Sequence, residues 1–510
     1  MILHSDTRYF EPDDFPKVPF MMETLSVRFL RENKVVPLEF KQDTLKIIMA
    51  DPHNQAVIDA IKIAVSHKLE IYTSDSKAIE DHLEKFYGQE IQDINKIIEN
   101  IGDDASIHYI HEEEDDIGHL QDLAFEAPII KLVNIIITRA VESRASDIHI
   151  EPFDDEVKVR YRIDGVLHDV EIIPKKLQAA IFSRIKIMAK LNIAEKRLPQ
   201  DGRIKLKVGG TDIDVRVSSI PVLYGESLVM RLLGQTGIKI DMEQLGFPAD
   251  TLAAFNHIIR NPNGILLVTG PTGSGKTTTL YGALDKINSP DKKIITVEDP
   301  IEYHLKGINQ IQVMPQIGLD FPNILRHIVR QDPDIIMIGE IRDLETAEIA
   351  IQSSLTGHLV FSTLHTNDAP TAITRLLDIG VPNFLLAATI RGVLAQRLIR
   401  VICPECRETD EDAMKDARAK NIFPENDVPL YRGRGCEKCA HTGFYGRSGI
   451  FELFTIDNVI HQLIVKNADG QQIREAARKN GMRTLMEDGL LKVKAGITTI
   501  NEIFRATQEI

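Results

Sequence analysis

Residues 270–277 read Gly270-Pro271-Thr272-Gly273-Ser274-Gly275-Lys276-Thr277, and Thr278 follows. Glycine, four residues, then Gly-Lys-Thr is the spacing of a phosphate-binding loop. It constrains the fold because such a loop works only between a buried strand and the first turn of a helix. Both flanks are present: residues 264–269 (GILLVT) form a short apolar run, and residues 278–287 have helical spacing. Glycines let backbone N–H groups approach phosphate oxygens, and the helix N-terminus adds partial positive charge. In that setting Lys276 reaches the β- and γ-phosphates and Thr277 Oγ ligates Mg²⁺. A chance glycine turn has no reason to carry both flanks. The sequence implies a nucleoside-triphosphate site.

Three further apolar runs follow, each ending in polar groups. Residues 294–297 (IITV) lead into Glu298, Asp299 and Glu302; residues 334–338 (DIIMI) lead into Gly339 and Glu340. Residues 358–364 begin at His358 and end at His365. Functional groups at the ends of several strands after a P-loop strand predict an open parallel α/β sheet with its ligand crevice there. One acid could be a helix cap; three decorated strand ends exceed that role. Glu340 stands at the Walker B position and reads as the general base. Gly339 occupies the place where a Mg²⁺-binding Asp usually stands, which leaves the ion to Thr277, water and, as a further candidate, Glu298. His365 suits a sensor of the γ-phosphate, against the competing reading of a structural hydrogen-bonder.

At 510 residues the chain exceeds a single core, and about three domains are expected. The formal net charge of -15 argues against coating duplex nucleic acid by charge alone. No signal peptide is visible, and the most apolar window, residues 127–141, is broken by Lys131 and Arg139, so no transmembrane helix is expected. Residues 21–88 read as a small mixed module, with a strand near residues 45–49 and helices over 54–67 and 76–87. The acidic run at residues 112–116 marks a solvated linker. Beyond it, residues 128–141 read as a helix and residues 146–150 as a strand. Period-two alternation at 157–163, 204–208 and 213–217, with a hairpin turn at Gly209-Gly210, completes a small α+β domain. The basic residues on its strands alternate outward, which on its own reads as a solvated face.

All four cysteines stand in two C-x-x-C pairs, Cys403 with Cys406 and Cys436 with Cys439. Four thiolates saturate a tetrahedral Zn²⁺, so the pattern predicts a closed, structural zinc site rather than a redox dithiol.

With these residues in hand, the chain resembles the ATPase superfamily of type II secretion and type IV pilus systems, and most of all its type II secretion assembly branch. The likeness covers about residue 125 to the end. It rests on SDIHIEP at 146–152, RYRIDG at 160–165, LPQDGRI at 198–204, the P-loop, VEDPIEY at 297–303 and RQDPDIIMIGEIRD at 330–343. TGHLVFSTLHTNDA at 356–369, AQRLIRVICPEC at 395–406 and GRSGIFEL at 446–453 complete it. In that family residues 297–303 are the Asp box and residues 357–369 the His box.

The resemblance implies a homo-hexamer hydrolysing ATP with Mg²⁺. It implies a PAS-like α+β domain over residues 121–237 and a RecA-like domain over 238–510. The latter includes a zinc subdomain at 398–445 and a helical region at 446–510. It implies that Arg216 and Arg231 reach a nucleotide, a neighbour's by preference, and that Arg326, Arg330, Arg342 and Arg375 face phosphate or an interface. Residues 1–120 would dock on the cytoplasmic part of an inner-membrane component (the L protein), with the polytopic F protein as platform. The chain would then be cytoplasmic and peripheral on the inner membrane through partners. The cyclic-di-GMP ligand of some pilus relatives is not carried over, because their Arg-Leu-Gly repeats are missing. The alternative within this chemistry is a type IV pilus extension ATPase. A nucleic-acid translocase fits the charge and the two boxes poorly, and a docking module without turnover would not need Lys276 and Glu340.

Overall fold

The computed structural model describes residues 8–11, 15, 29–30, 33–41, 44–52, 54–65, 68–87, 127–208, 211–233, 241–420, 422–423 and 428–507. The acidic linker, the Gly209-Gly210 turn and both expected domain junctions, near 120 and 237, lie outside them.

The N-terminal residues form a four-stranded sheet ordered Arg8–Tyr9, Lys68–Thr73, Thr44–Met49, Val35–Lys41, parallel except at the last pair. Helix Gln55–Val65 buries Val57, Ile58, Ile61 and Val65, and helix Ser76–Tyr87 buries Ile79 and Leu83. These spacings place each set on one helical stripe, against Leu45, Ile47 and Ile48.

The next unit is a six-stranded antiparallel sheet, ordered Val166–Pro174, Glu156–Ile163, Ala145–Pro152, Gly225–Leu233, Thr211–Val222, Gln200–Val208. Helices Ala127–Glu142 and Gln178–Met188 join the core of this sheet. Burial alternates strictly along Glu156–Ile163, as its period-two sequence requires. On the other face, register aligns a row: Arg203 opposite Arg216, Arg216 opposite Arg231, Arg231 opposite Asp147, Asp147 opposite Arg162. Like charges directly opposite one another destabilise a sheet. A row of this kind is not an ordinary solvated face.

The third unit carries a seven-stranded sheet ordered Asn309–Gln312, Ile294–Glu298, Ile335–Ile338, Leu359–Leu364, Gly264–Thr269, Ile390–Ile402, Phe444–Thr455. Every pair is parallel except the last. Its central strands are buried residue after residue, which explains their unbroken apolar sequences. The P-loop strand, Gly264–Thr269, lies between Leu359–Leu364 and Ile390–Ile402, so the loops at its carboxyl end open between the two halves of the sheet. Sequence periodicity did not resolve the 13-residue strand Ile390–Ile402 or its antiparallel partner. Helices Asn458–Val465, Gly470–Lys479, Leu485–Lys494 and Ile500–Thr507 add Ile460, Ile473, Val493 and Ile503 to the same core. Among the described residues, no helix is long and apolar enough to cross a membrane.

Candidate functional site

The phosphate loop leaves its strand at Thr269 and re-enters regular structure at Lys276, the first residue of helix Lys276–Ile287. Gly273 (φ 80°) and Gly275 (φ 87°) hold left-handed backbone that a side chain would resist, and Gly275 is the N-cap. Lys276 Nζ donates to the carbonyls of Gly270 (2.7 Å) and Pro271 (3.1 Å), so the ammonium folds over the loop it closes. Burial brings the Lys276 pKa down to about 8; Glu340 opposes that shift and Arg397 adds to it. Ser274 Oγ is buried and has no hydrogen-bond partner. Thr277 is half-buried in the first turn. The loop offers backbone donors, an ammonium and a hydroxyl, which together fit a magnesium-bound polyphosphate.

Glu340 follows strand Ile335–Ile338, with its carboxylate between a guanidinium and an imidazole. Arg342 donates to Oε1, and His365 Nε2 lies 3.4 Å from Oε2. Burial lowers the His365 pKa, and Lys276 and Arg342 lower it further against the pull of Glu340. A neutral imidazole beside a carboxylate can pass or hold a proton at near-neutral pH. A side chain at Gly339, where the Asp usually stands, would be crowded: a Cβ there would sit 3.2 Å from the Val297 carbonyl and 3.4 Å from the Phe321 ring.

Glu298 does something other than the Mg²⁺ role considered for it. It is 3% exposed, and its carboxylate accepts from Tyr281 Oη, Thr296 Oγ1 (2.6 Å) and Gln310 Nε2 (3.1 Å). Tyr281 belongs to the P-loop helix, so this buried cluster braces that helix against the Asp box. Asp299 and Glu302, by contrast, are exposed just after the strand. Asp299 is near enough to Arg342 to help raise its pKa, after the larger effect of Glu340.

His358 is set apart from the site. It precedes the strand that ends before His365, so the strand's whole length, about 20 Å for six residues, separates them. Its Nδ1 lies 2.8 Å from the Ser353 carbonyl in the last turn of helix Leu344–Leu355 and 3.1 Å from Thr356 Oγ1. Its surroundings are those of a helix terminus.

The arginines divide in two groups. Arg216 Nη2 reaches the Ile301 carbonyl of its own chain's Asp box at 3.4 Å. Arg231 Nε is held by Asp147 at 2.9 Å, one step along the basic row. Arg342 and Arg375 line a polar cavity of about 730 Å³ with His365, Asn367 and Asp378. Arg326 pairs with Glu345, and Arg330 donates to the Arg326 carbonyl (2.7 Å), so both serve local structure here. Two residues have no role that the sequence alone assigns: Arg203, in the basic row, and Arg397, next to the phosphate loop. Both stand inside stretches that carry the family resemblance, LPQDGRI and AQRLIR.

The four cysteine sulfurs lie within 4.8 Å of one another. Cys403–Cys436 and Cys436–Cys439 are separated by 3.8 Å and Cys406–Cys439 by 3.9 Å. Four sulfurs at about 2.3 Å from a tetrahedral metal stand about 3.8 Å apart. Burial pushes the Cys406 thiol up to about 12, so a cation is the chemistry that would ionise this cluster. Backbone N–H groups of Gly435 (3.3 Å, to Cys406 Sγ) and Cys436 (3.2 Å, to Cys439 Sγ) already point at sulfur. The donor set fits a soft divalent metal.

Comparison with known proteins agrees with this geometry. Residues 122–505 match the profile of the Type II/IV secretion system protein family, and residues 5–93 match the MshEN domain. The type II secretion system protein E of Xanthomonas campestris is 51% identical over 98% of this chain and 86% of its own length. The type IV pilus assembly ATPase PilB of Myxococcus xanthus is 43% identical over 96% of this chain and 87% of its own. The X-ray structure of the Legionella pneumophila ATPase DotB, 21% identical, covers 73% of this chain and 94% of that one at a TM-score of 0.54, and so shares the fold. The chain belongs to the Type II/IV secretion system protein family.

Proposed function

We propose that this chain is the ATPase that powers pseudopilus assembly and protein export in a type II secretion system. The observation that carries the chemistry is the placement of Glu340 between Arg342 and His365, within the electrostatic reach of Lys276. In the proposed reaction the Glu340 carboxylate accepts a proton from water, and the water oxygen bonds to the γ-phosphorus. The bond from that phosphorus to the bridging oxygen breaks, leaving ADP and phosphate. Lys276 and the loop N–H groups hold the phosphates throughout. Thr277 would hold Mg²⁺, which supplies charge neutralisation when bound.

Arg216 and Arg231 add positive charge from the antiparallel-sheet domain. Arg216 Nη2 meets the Ile301 carbonyl of its own chain's Asp box, and the resemblance assigns its charge to a neighbouring chain's nucleotide. Zn²⁺ is the proposed occupant of the four cysteines, in a structural role. The proposed assembly is a hexamer, and residues 1–120 are the proposed docking module for the inner-membrane partner, with domain junctions near 120 and 237.

A pilus-extension role is the second reading, favoured by the near-full-length match to the pilus ATPase. Deletion of the gene, complemented by wild type or by Lys276→Ala, decides between them. Loss of protein export that only wild type restores supports the first reading. Loss of surface pili with normal export supports the second.

A further inference from the structure

Strand Ile390–Ile402 runs parallel to the P-loop strand and pairs Ala395 with Thr269, so its next two residues lie alongside the phosphate loop. Gln396 is 2% exposed and takes the hydroxyl of Thr279, in the P-loop helix, on Oε1 at 2.7 Å. Arg397 is half-buried beside Gly270: a Cβ built on that glycine would stand 3.2 Å from Arg397 Nη1. Its Nη2 donates to Asn367 twice, to Oδ1 at 3.0 Å and to the backbone carbonyl at 3.3 Å. Asn367 is two residues past His365.

A second tie lies beneath this one. Thr366 N donates to Thr269 Oγ1 at 2.8 Å, so the end of the P-loop strand is joined to the residue before Asn367. The loop that carries His365 is therefore fixed to the phosphate loop and its strand by a buried threonine pair and by Arg397. The Arg397 tie uses one guanidinium nitrogen, Nη2, which carries two hydrogens and meets two oxygens of one residue.

We propose that Arg397 is a positioning residue: by holding Asn367 against the phosphate loop, it places His365 relative to Glu340 for hydrolysis. The proposal rests on the reading of residues 270–277 as a nucleotide site. Misplacement of a reacting group by about 1 Å costs on the order of 10²-fold in rate. Loss of the tie should therefore lower kcat far more than it weakens ATP binding.

The test uses the purified full-length chain and its Arg397→Ala, Arg397→Lys and Asn367→Ala variants, plus the Arg397→Ala/Asn367→Ala double variant. Steady-state turnover gives kcat and KM, and a fluorescent ATP analogue with Mg²⁺ gives Kd. We expect kcat to fall ~10- to 100-fold in Arg397→Ala and in Asn367→Ala, with Kd changed less than about tenfold. The double variant should fall no further than either single, because both remove one link. Arg397→Lys keeps the charge and a single donor nitrogen on a shorter side chain, and should restore part of the kcat lost in Arg397→Ala. If Arg397→Ala fails to fold, Asn367→Ala, on an exposed loop position, carries the same expectation.

Wild-type kcat in Arg397→Ala or Asn367→Ala overturns the proposal. So do additive losses in the double variant, and so does a Kd loss as large as the kcat loss, which would make Arg397 a direct phosphate ligand. Failure of the wild-type chain to bind the analogue would instead overturn the nucleotide-site reading.

Discussion

Raising the pH from 7 to 9 should weaken ATP binding to this chain about tenfold, because Lys276 loses its proton across that range. Its pKa stands at about 8, lowered first by burial and then by Arg397, with Glu340 opposing. At pH 7 about nine-tenths of the chains carry the ammonium, and at pH 9 about one-tenth do. Bound triphosphate favours the charged form, so binding above pH 8 must take up a proton and its Kd must rise with pH. The same shift has a consequence for stability. A lysine whose folded pKa is depressed contributes stability that is present above its unfolded value, near 10.4, and is lost as pH falls through about 8. Affinity and this contribution to stability therefore move in opposite directions between about pH 8 and 10. The assay is equilibrium binding of a fluorescent ATP analogue at constant Mg²⁺ and ionic strength, over pH 7 to 10. A Kd flat from pH 7 to 9 would refute the reasoning, since no partly deprotonated lysine could then be facing the phosphates.

Other outcomes follow from the same contacts. Tyr281→Phe removes one of three donors to the buried Glu298 carboxylate and should cost about 1–3 kcal/mol, read by chemical denaturation of the ATPase domain; an unchanged midpoint would deny the brace. Metal analysis of freshly purified protein should find about one zinc per chain, and Cys403→Ser should loosen the segment around Cys436 while nucleotide affinity is kept. Absence of stoichiometric metal would contradict that assignment. Mixed rings of Arg216→Ala and Lys276→Ala chains should stay as inactive as either parent if Arg216 serves its own Asp box; recovered turnover would place it on a neighbour's nucleotide.

The local parts of the site were legible because the chemistry itself fixes their spacing. The P-loop must follow a buried strand and open a helix, and helix Lys276–Ile287 begins within that motif. Glu340 and His365 were found because each ends an apolar run whose neighbours are strands of one sheet. Contacts made across long sequence separations were not legible. The Arg216 contact with Ile301 spans 85 residues and the Arg397 contact with Asn367 spans 30; both depend on strand order and domain placement, which periodicity does not carry. Glu298 and His358 show a subtler limit. Proximity to a strand end says nothing of which end faces the crevice, and His358 lies at the amino end. Nor does it say which way a terminal side chain turns, and Glu298 turns into the core to meet Tyr281. Arg216 and Arg231 were singled out by the resemblance, and strand register was needed to align them in one row with Arg203.

Glu340→Gln tests the central claim most directly, because it removes the proton acceptor while keeping the shape of the side chain. ATP binding and turnover should be measured on the same preparation, with a fluorescent analogue for the first and phosphate release for the second. The account predicts a Kd within a few-fold of wild type and a kcat lower by at least ~10²-fold. Turnover at the wild-type rate would contradict it, and would move the base to another carboxylate such as Glu302.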